Sequence, residues 1–412
     1  ATATTNTIAQ LLIKKAQDEG RWSEAISMVE KTAEKATKQG QAIQALSMWN
    51  KLTPEGMLKY AQQTINKANV NLPDSKKIKL TDEFAKDITS RMKEINEMPD
   101  GREKTVQTAE VLKTIADQVP SSMLSKISSI QTMSQLLNPK TAIRNILGNA
   151  GFSAMENIKD VIATPLDKGI GLITGQRTTT LPSLPTQLKG FTKGLKEGYE
   201  DAVRGIDTTG IKTQFDLPQG SKFNSKIGKG LEKILNVELK APDRAFYQAA
   251  FDDSLRKQLL LNRVVTPTDA MMENAHLDAL YKTFQDDNAI SRASSKFKNS
   301  VLNLGKEFGW GDIIFKYPRT PANLLMRAVD YSPAGYLKAV VGLTKDAVTG
   351  KGFNQKAFVD SVGRATTGTA GLLGTGYILN KLGIITGQSE NDKDTKDVER
   401  TVGLGDYKLN IS

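Results

Sequence analysis

The chain has 412 residues, of which 39 % are hydrophobic, and it carries a formal net charge of +11 and no cysteine. The missing thiols exclude disulfides, thiolate zinc sites and cysteine nucleophiles. The only histidine is His276, so a Ser-His-Asp triad would have to use this one ring. The modest apolar content predicts several thin helical cores instead of one thick core.

The N-terminal region, residues 1–120, predicts a helical bundle. Apolar residues recur at helical spacing from Ile8 to Ala16, and Gly20 then provides a stop. Further on, Thr53 is placed to cap a helix that has Pro54 in its first turn. We expect the apolar stripes of these helices to form the core of the bundle.

The stretch LLNPKTAIRNILGNAG lies in a small-residue-rich helical segment, residues 121–175. Its Asn-Pro step ends one helix and begins another. The later run YPRTPANLLMRAVDYSPAG shares the order proline, basic residue, threonine and apolar pair. A basic residue near a helix start is unfavourable for the helix dipole, so we expect both elements to contact a partner. The expected contact residues are Asn138, Lys140, Arg144, Asn145, Asn149, Arg319 and Asn323.

Three more regions follow along the chain. Residues 176–240 read as a Pro/Gly/Thr-rich connector, with QRTTTLPSLPTQ extended and exposed. Residues 241–350 predict a second helical block, and residues 351–412 a Gly/Thr-rich helical hairpin with the start of a truncated C-terminal region. The final TVGLGDYKLNIS alternates as a strand does, and both chain ends look like cuts through a longer polypeptide.

The Gly/Thr-rich hairpin has small residues at four-residue spacing and carries no charge from Ala365 to Asn380. Such spacing lets helix backbones approach closely, as in membrane helix pairs. The segment is only marginally hydrophobic, which leaves two alternatives open: a hairpin buried in a protein assembly, and a segment that enters a bilayer. The residues expected to pack helices in this way are Gly363, Thr367, Gly371, Gly374 and Thr375.

No pattern in the chain indicates an enzyme. The glycines of GLLGTGYILNKLG follow no strand and lack the Gly-Lys-Ser/Thr of a phosphate loop. The acidic pairs Asp252-Asp253 and Asp286-Asp287 are typical of solvated charge. We therefore predict no catalytic residue, no metal and no cofactor. The positive charge favours attraction to nucleic acid or anionic lipid, although Lys and Arg are scattered among acidic residues.

Five stretches, in this order, resemble the large polyvalent proteins and internal virion (ejection) proteins of tailed bacteriophages. They are GQAIQALSMWNKLTPEGML, LLNPKTAIRNILGNAGF, APDRAFYQAAFDDSL, FKYPRTPANLLMRAVDYSPAG and GLLGTGYILNKLGIITG. The resemblance covers most of the chain from about Gly40 onward. It carries over no catalytic residues.

This resemblance implies a non-catalytic segment of a larger polypeptide that is packaged with the genome and delivered to the host during DNA ejection. The implied partners are portal, tail or self copies in a homo-oligomer, packaged DNA, and the host membrane after ejection. The implied location is the virion interior and then the host envelope or cytoplasm. A head-tail or portal-associated structural protein and a basic DNA-binding module are the alternatives. The expected fold is mostly α: an elongated multi-helix assembly with long loops, little or no sheet, and a strand at the C-terminal end.

Overall fold

The structure is a computed structural model. It describes residues 2–38, 49–70, 72–119, 139–206, 208, 226–286, 288–297, 319–349, 352–372, 374, 377, 401–404 and 407–410. Of the described residues, 82 % are helical, which confirms the mostly α fold. The chain divides into two compact units: a first unit of Ala1–Ser153 with Ser183–Asn323, and a second unit of Ala154–Pro182 with Leu324–Ser412.

Thirteen α-helices are present in the described part of the chain. They are α1 Thr2–Asp18, α2 Trp22–Lys38, α3 Pro54–Val70, α4 Asp82–Glu97, α5 Arg102–Asp117, α6 Pro139–Thr174, α7 Leu184–Arg204, α8 Lys226–Asn262, α9 Asp269–Lys282, α10 Ala289–Phe297, α11 Arg319–Asp330, α12 Ala334–Thr349 and α13 Gln355–Thr366. A single 3₁₀ turn, Asp74–Lys76, follows α3, and a π-helical stretch, Thr367–Leu372, continues α13.

Helices α1–α5 pack around one apolar core in the first unit. The stripe predicted for α1 is largely wrong, because Ala16 is buried but Ile8, Leu11 and Leu12 are exposed, and Ile13 enters the core instead. Local signals set their ends. Gly20, at φ 67°, follows α1, and the Thr53 hydroxyl accepts a hydrogen bond from the Gly56 amide at 3.2 Å at the start of α3. The core residues are Ile13, Val29, Leu52, Met57, Ala61, Ile88, Met92, Ile95, Val111 and Ile115.

A row of glycines brings α7 directly against α8 in the first unit. A Cβ atom on Gly194 would lie 2.5 Å from the Arg244 carbonyl oxygen, and one on Gly198 would lie 2.9 Å from the Ala241 Cα. Because only hydrogen fits between the backbones, the two helices can touch along several turns. Residues 184–204, for which the sequence predicts part of a connector, are thus a packed helix, and the glycine spacing is the reason.

One arginine joins the α1–α5 bundle to α7. Arg102, at the start of α5, donates to the Asp201 carboxylate at 2.9 Å and to the Thr208 hydroxyl at 3.1 Å. It also pairs with Glu200 at 3.3 Å. The bundle predicted over 1–120 therefore belongs to the same compact unit as part of the connector predicted over 176–240. Through α8, this unit also includes part of the block predicted over 241–350.

Two short strands close the described chain. Thr401–Leu404 and Tyr407–Asn410 pair antiparallel, with Thr401 opposite Asn410 and Leu404 opposite Tyr407. They coincide with the alternating pattern that predicts a strand at the C-terminal end.

We predict that Gly194→Ala destabilises the first unit by about 1–3 kcal/mol, because the new methyl group overpacks the α7–α8 crossing. Urea unfolding measures the change. Gly230→Ala is the matched control: Gly230 also lies in a helix, but a Cβ there meets no atom within 4 Å, so alanine should be neutral or stabilising by up to about 1 kcal/mol. Equal effects of the two substitutions would contradict the close crossing.

Candidate functional site

The part of α6 that belongs to the second unit has inverted polarity. Its buried side bears Glu156 and Lys159, which are 0 % and 4 % exposed, together with Asp160. Its exposed side bears Ile158 and Val161, both about half exposed. A helix on the surface of a globular protein normally turns its apolar stripe inward. In this part of α6, the buried charges must therefore be paired inside the protein, and the exposed apolar residues require a separate explanation.

The internal partners form a cluster that we call the Lys159 cluster: Glu156, Lys159, Asp160, Asp360 and Arg364. The Lys159 ammonium lies 2.7 Å from Asp160, 2.9 Å from Asp360 and 3.6 Å from Glu156. The Arg364 guanidinium lies 2.7 Å from Glu156. Every carboxylate of the cluster thus has a cationic neighbour, which is the condition for keeping charges inside a protein.

Within the Lys159 cluster, the pKa of Lys159 is raised and the pKa of Asp360 is lowered. Burial alone would lower the pKa of Lys159, but Asp360, Asp160 and Glu156 raise it well above its ordinary value. Burial alone would raise the pKa of Asp360, but Lys159, Lys356 and Arg364 hold it well below 3.8. The charged forms are therefore the stable ones. The stabilisation that Asp360 contributes is present above about pH 4 and is lost as the pH falls through its lowered pKa.

A second buried carboxylate holds the segment that follows α6. Asp167 is 0 % exposed and accepts hydrogen bonds from the Thr178 amide at 3.0 Å, the Thr179 amide at 3.2 Å and the Gln355 side chain at 2.9 Å. Burial opposes the charge, yet the hydrogen bonds from Thr178, Gln355 and Thr179 lower the pKa of Asp167. The start of the predicted extended connector is thus anchored within the second unit.

Two glycines near the end of α13 allow the close approach that the small-residue spacing predicts. A Cβ on Gly363 would lie 3.1 Å from Ala163 and from Lys159 of α6, and one on Gly368 would collide with the Tyr331 carbonyl. Gly368 was not among the residues expected to pack helices.

The other small residues differ from Gly363. The buried Thr367 hydroxyl donates to the Gly363 carbonyl at 2.8 Å within its own helix. A Cβ on Gly371 would meet only the Thr367 methyl group, at 3.9 Å, and one on Gly374 would meet nothing within 4 Å. Thr375 lies outside the described residues. The close packing is therefore centred on Gly363 and Gly368.

The asparagines expected to contact a partner form hydrogen bonds within the first unit. Asn145 donates to Asp243 at 3.1 Å, and Asn149 donates to Asn145 at 3.2 Å. The fully buried Asn323 donates to the Phe284 carbonyl at 2.6 Å. In both of the related asparagine-containing stretches, these asparagines therefore hold parts of the first unit together.

Of the other residues expected to contact a partner, only the side chain of Arg144 is described. Arg144 is exposed on α6. Asn138 and the side chains of Lys140 and Arg319 lie outside the described residues. Their contact with a partner stays a prediction.

Helix α12 also has an exposed apolar face in the second unit. Leu337, Val341 and Val348 recur on one face of this helix, and all three are more than half exposed. Leu172 of α6 is 87 % exposed. Large apolar surfaces on soluble proteins commonly mark interaction sites. The second unit therefore combines a charged interior with an apolar exterior.

His276 is buried in the first unit. It is 5 % exposed, and its Nδ1 lies 2.5 Å from the Tyr247 hydroxyl. Its Nε2 has no hydrogen-bond partner. Burial and the nearby Arg244 lower the pKa of His276 to about 4, so the ring is neutral at pH 7.

The chain matches no family model, no curated protein sequence and no solved structure. Within the described residues, no helix has the length and apolar character needed to cross a bilayer. The same residues contain no group of three or more acidic or histidine side chains arranged to hold a metal ion.

We predict that Lys159→Met destabilises the second unit by about 3–5 kcal/mol, because the substitution leaves buried carboxylates without their ammonium partner. Hydrogen exchange of α6 and α13 amides, followed by mass spectrometry, reports on this unit specifically. Adding Asp360→Leu to Lys159→Met should restore part of the loss. The control is Lys168→Met on an exposed position of α6, for which we expect a change within about 0.5 kcal/mol.

We also predict that the first unit loses stability as the pH falls from about 6.5 to 4. In this window the unfolded chain protonates His276 and the folded chain does not, which lowers the free energy of unfolding by up to about 3 kcal/mol. The measurements are an NMR titration of the single imidazole and urea unfolding across the window. In His276→Gln this part of the pH dependence should vanish. An imidazole that titrates near pH 6.5 in the folded chain would contradict the buried, neutral ring.

Proposed function

We propose that this chain is a non-catalytic segment of an internal virion protein of a tailed bacteriophage. It is packaged with the genome and passes into the host during DNA ejection. Its partners are portal or tail proteins, copies of itself, packaged DNA and, after ejection, the host membrane. Its location is the virion interior and then the host envelope or cytoplasm.

The observation that carries this proposal is the inverted polarity of the second unit. Ile158, Val161 and Leu172 of α6 and Leu337 of α12 are exposed, while all members of the Lys159 cluster except Arg364 are buried. Exposed apolar area is unfavourable in water by about 25 cal/mol per Å². A unit built in this way is suited to work inside a larger assembly, where other surfaces cover its exterior. This supports a structural or delivered component of a particle.

The interior of the second unit also fits a protein that must unfold and reassemble. Its described interior is held by charge pairs and glycine contacts, with few large apolar side chains that are fully buried. Units of this kind open at modest free energy cost. Passage through a narrow tail requires such opening, and the partners on the far side then determine what covers the apolar exterior.

The net charge of +11 suits storage beside packaged DNA, in a contact that weakens with salt. DNA binding as the only function, however, explains fewer features of the structure than the proposed function does. The Lys159 ammonium and the Arg364 guanidinium are occupied by buried carboxylates. A role confined to the portal or the head-tail junction accounts for the apolar exterior equally well, and the experiment below distinguishes it.

Mass spectrometry of purified particles, before and after triggered genome release, tests the proposal. We expect this polypeptide in full particles and a large loss from emptied shells, with the major capsid protein as the internal control that stays. Absence from full particles would refute the proposal altogether. Quantitative retention in emptied shells would favour the portal-associated alternative instead.

A further inference from the structure

Helix α7 presents an apolar stripe on the side that α8 leaves uncovered. Leu184, Leu188, Leu195 and Tyr199 are 62 %, 66 %, 41 % and 54 % exposed. Their spacing of four, seven and four residues places them within one face of an α-helix. The helix has 21 residues and is therefore about 31 Å long, so the stripe covers most of its length.

Three lysines flank this stripe. Lys189, Lys193 and Lys196 are exposed, and by the 100° turn per residue they share one neighbouring face of α7. No ion pair involves any of the three within the described structure. Burial raises the pKa of Asp252, and the nearby Lys193 offsets only part of that rise. The flank of the stripe is therefore cationic.

The acidic residues of α7 are engaged by arginines of other helices. Glu197 pairs with Arg244 at 2.9 Å, and Asp201 pairs with Arg102 at 2.9 Å. Glu200 pairs with the same Arg102 at 3.3 Å. The carboxylates of this helix are thus each paired with an arginine of the first unit. This includes Glu200, which is 40 % exposed and shares the face of the three lysines, whereas the ammonium groups of those lysines have no such pair.

We propose that this face of α7, which we call the Leu-Lys face, docks onto the surface of an anionic lipid bilayer. Leucine and tyrosine side chains would enter the region between headgroups and acyl chains, and the three lysines would contact lipid phosphates. This is the chemistry of a helix that lies in the plane of a membrane interface. No bilayer crossing is involved. The helix is already formed and packed on α8, so binding does not have to order it.

Charge complementarity selects this occupant over two others. A second copy of the Leu-Lys face would bring lysines against lysines, a repulsion that opposes pairing. A nucleic acid would match the lysines but would leave Leu188 and Leu195 without an apolar environment, since phosphate contacts need only the charge. An anionic bilayer provides both an apolar environment for the stripe and phosphates for the flanking lysines.

This inference assigns the surface that contacts the membrane, and it rests on the proposed function only for the claim that the chain encounters a host membrane. The docking itself is tested on the full purified chain. Flotation with phosphatidylcholine vesicles and with vesicles that also contain phosphatidylglycerol should show binding to the anionic vesicles alone at low salt, weakening as salt rises. Binding of equal strength to both vesicles, or no binding, overturns the inference.

Matched variants locate the contact. Replacing Lys189, Lys193 and Lys196 by Gln should weaken binding roughly a hundredfold, since each lysine contributes about fivefold. Replacing Lys79, Lys86 and Lys93 by Gln removes the same charge from exposed positions elsewhere in the first unit and should have a much smaller effect. Leu188→Gln with Leu195→Gln should weaken binding by at least about tenfold. Equal losses in the two lysine variants would overturn the inference.

Because the chain has no cysteine, a single introduced thiol can carry an environment-sensitive fluorophore. A label at Thr192→Cys, which is exposed beside the stripe, should shift to the blue on vesicle binding, whereas a label at the exposed Glu83→Cys in α4 should not. Sedimentation without lipid tests the competing occupant, because self-association that the leucine variants abolish would assign the face to a second copy. Absence of the chain from virions, together with intact vesicle docking, would refute the proposed function alone.

Discussion

The second unit depends on one ammonium group, that of Lys159, which joins segments 201 residues apart in the chain through its contact with Asp360. A charge inside a protein is tolerated only with its partners in place, so α6 and α13 stabilise their charged forms only when packed together. The arrangement also determines the surface of the unit. Because the polar residues of α6 are directed inward, Ile158 and Val161 are left on the outside.

The helices of the first unit associate mainly through apolar and backbone contacts. An apolar core holds α1–α5, and the glycines of α7 allow direct backbone contact with α8. Arg102 then connects the two parts through Asp201, Glu200 and Thr208. Charges are buried in this unit as well: Asp253 is 0 % exposed and pairs with Lys257 at 2.9 Å, so the expectation of solvated charge at Asp252-Asp253 is wrong for Asp253. In the second unit, a cluster of buried charges joins α6 to α13.

The helical class, the capped start of α3 at Thr53 and the small-residue packing at Gly363 could all be predicted, because each depends on local spacing or on a short-range hydrogen bond. The Lys159 cluster could not. Charged residues at positions 156, 159 and 160 have the spacing of a buried stripe, but charge is normally interpreted as solvated surface, and the decisive partners Asp360 and Arg364 lie far along the chain. The role of α7 was missed because frequent glycines usually weaken a helix, an effect that close packing here outweighs.

The glycine crossing between α7 and α8 has an evolutionary consequence. Its contacts are made largely by backbone atoms around Gly190, Gly194 and Gly198, and backbone atoms are common to all residue types. Side chains of the two helices that lie away from the crossing can therefore vary while the crossing persists. Related proteins would be expected to share the glycine spacing long after their overall similarity has faded.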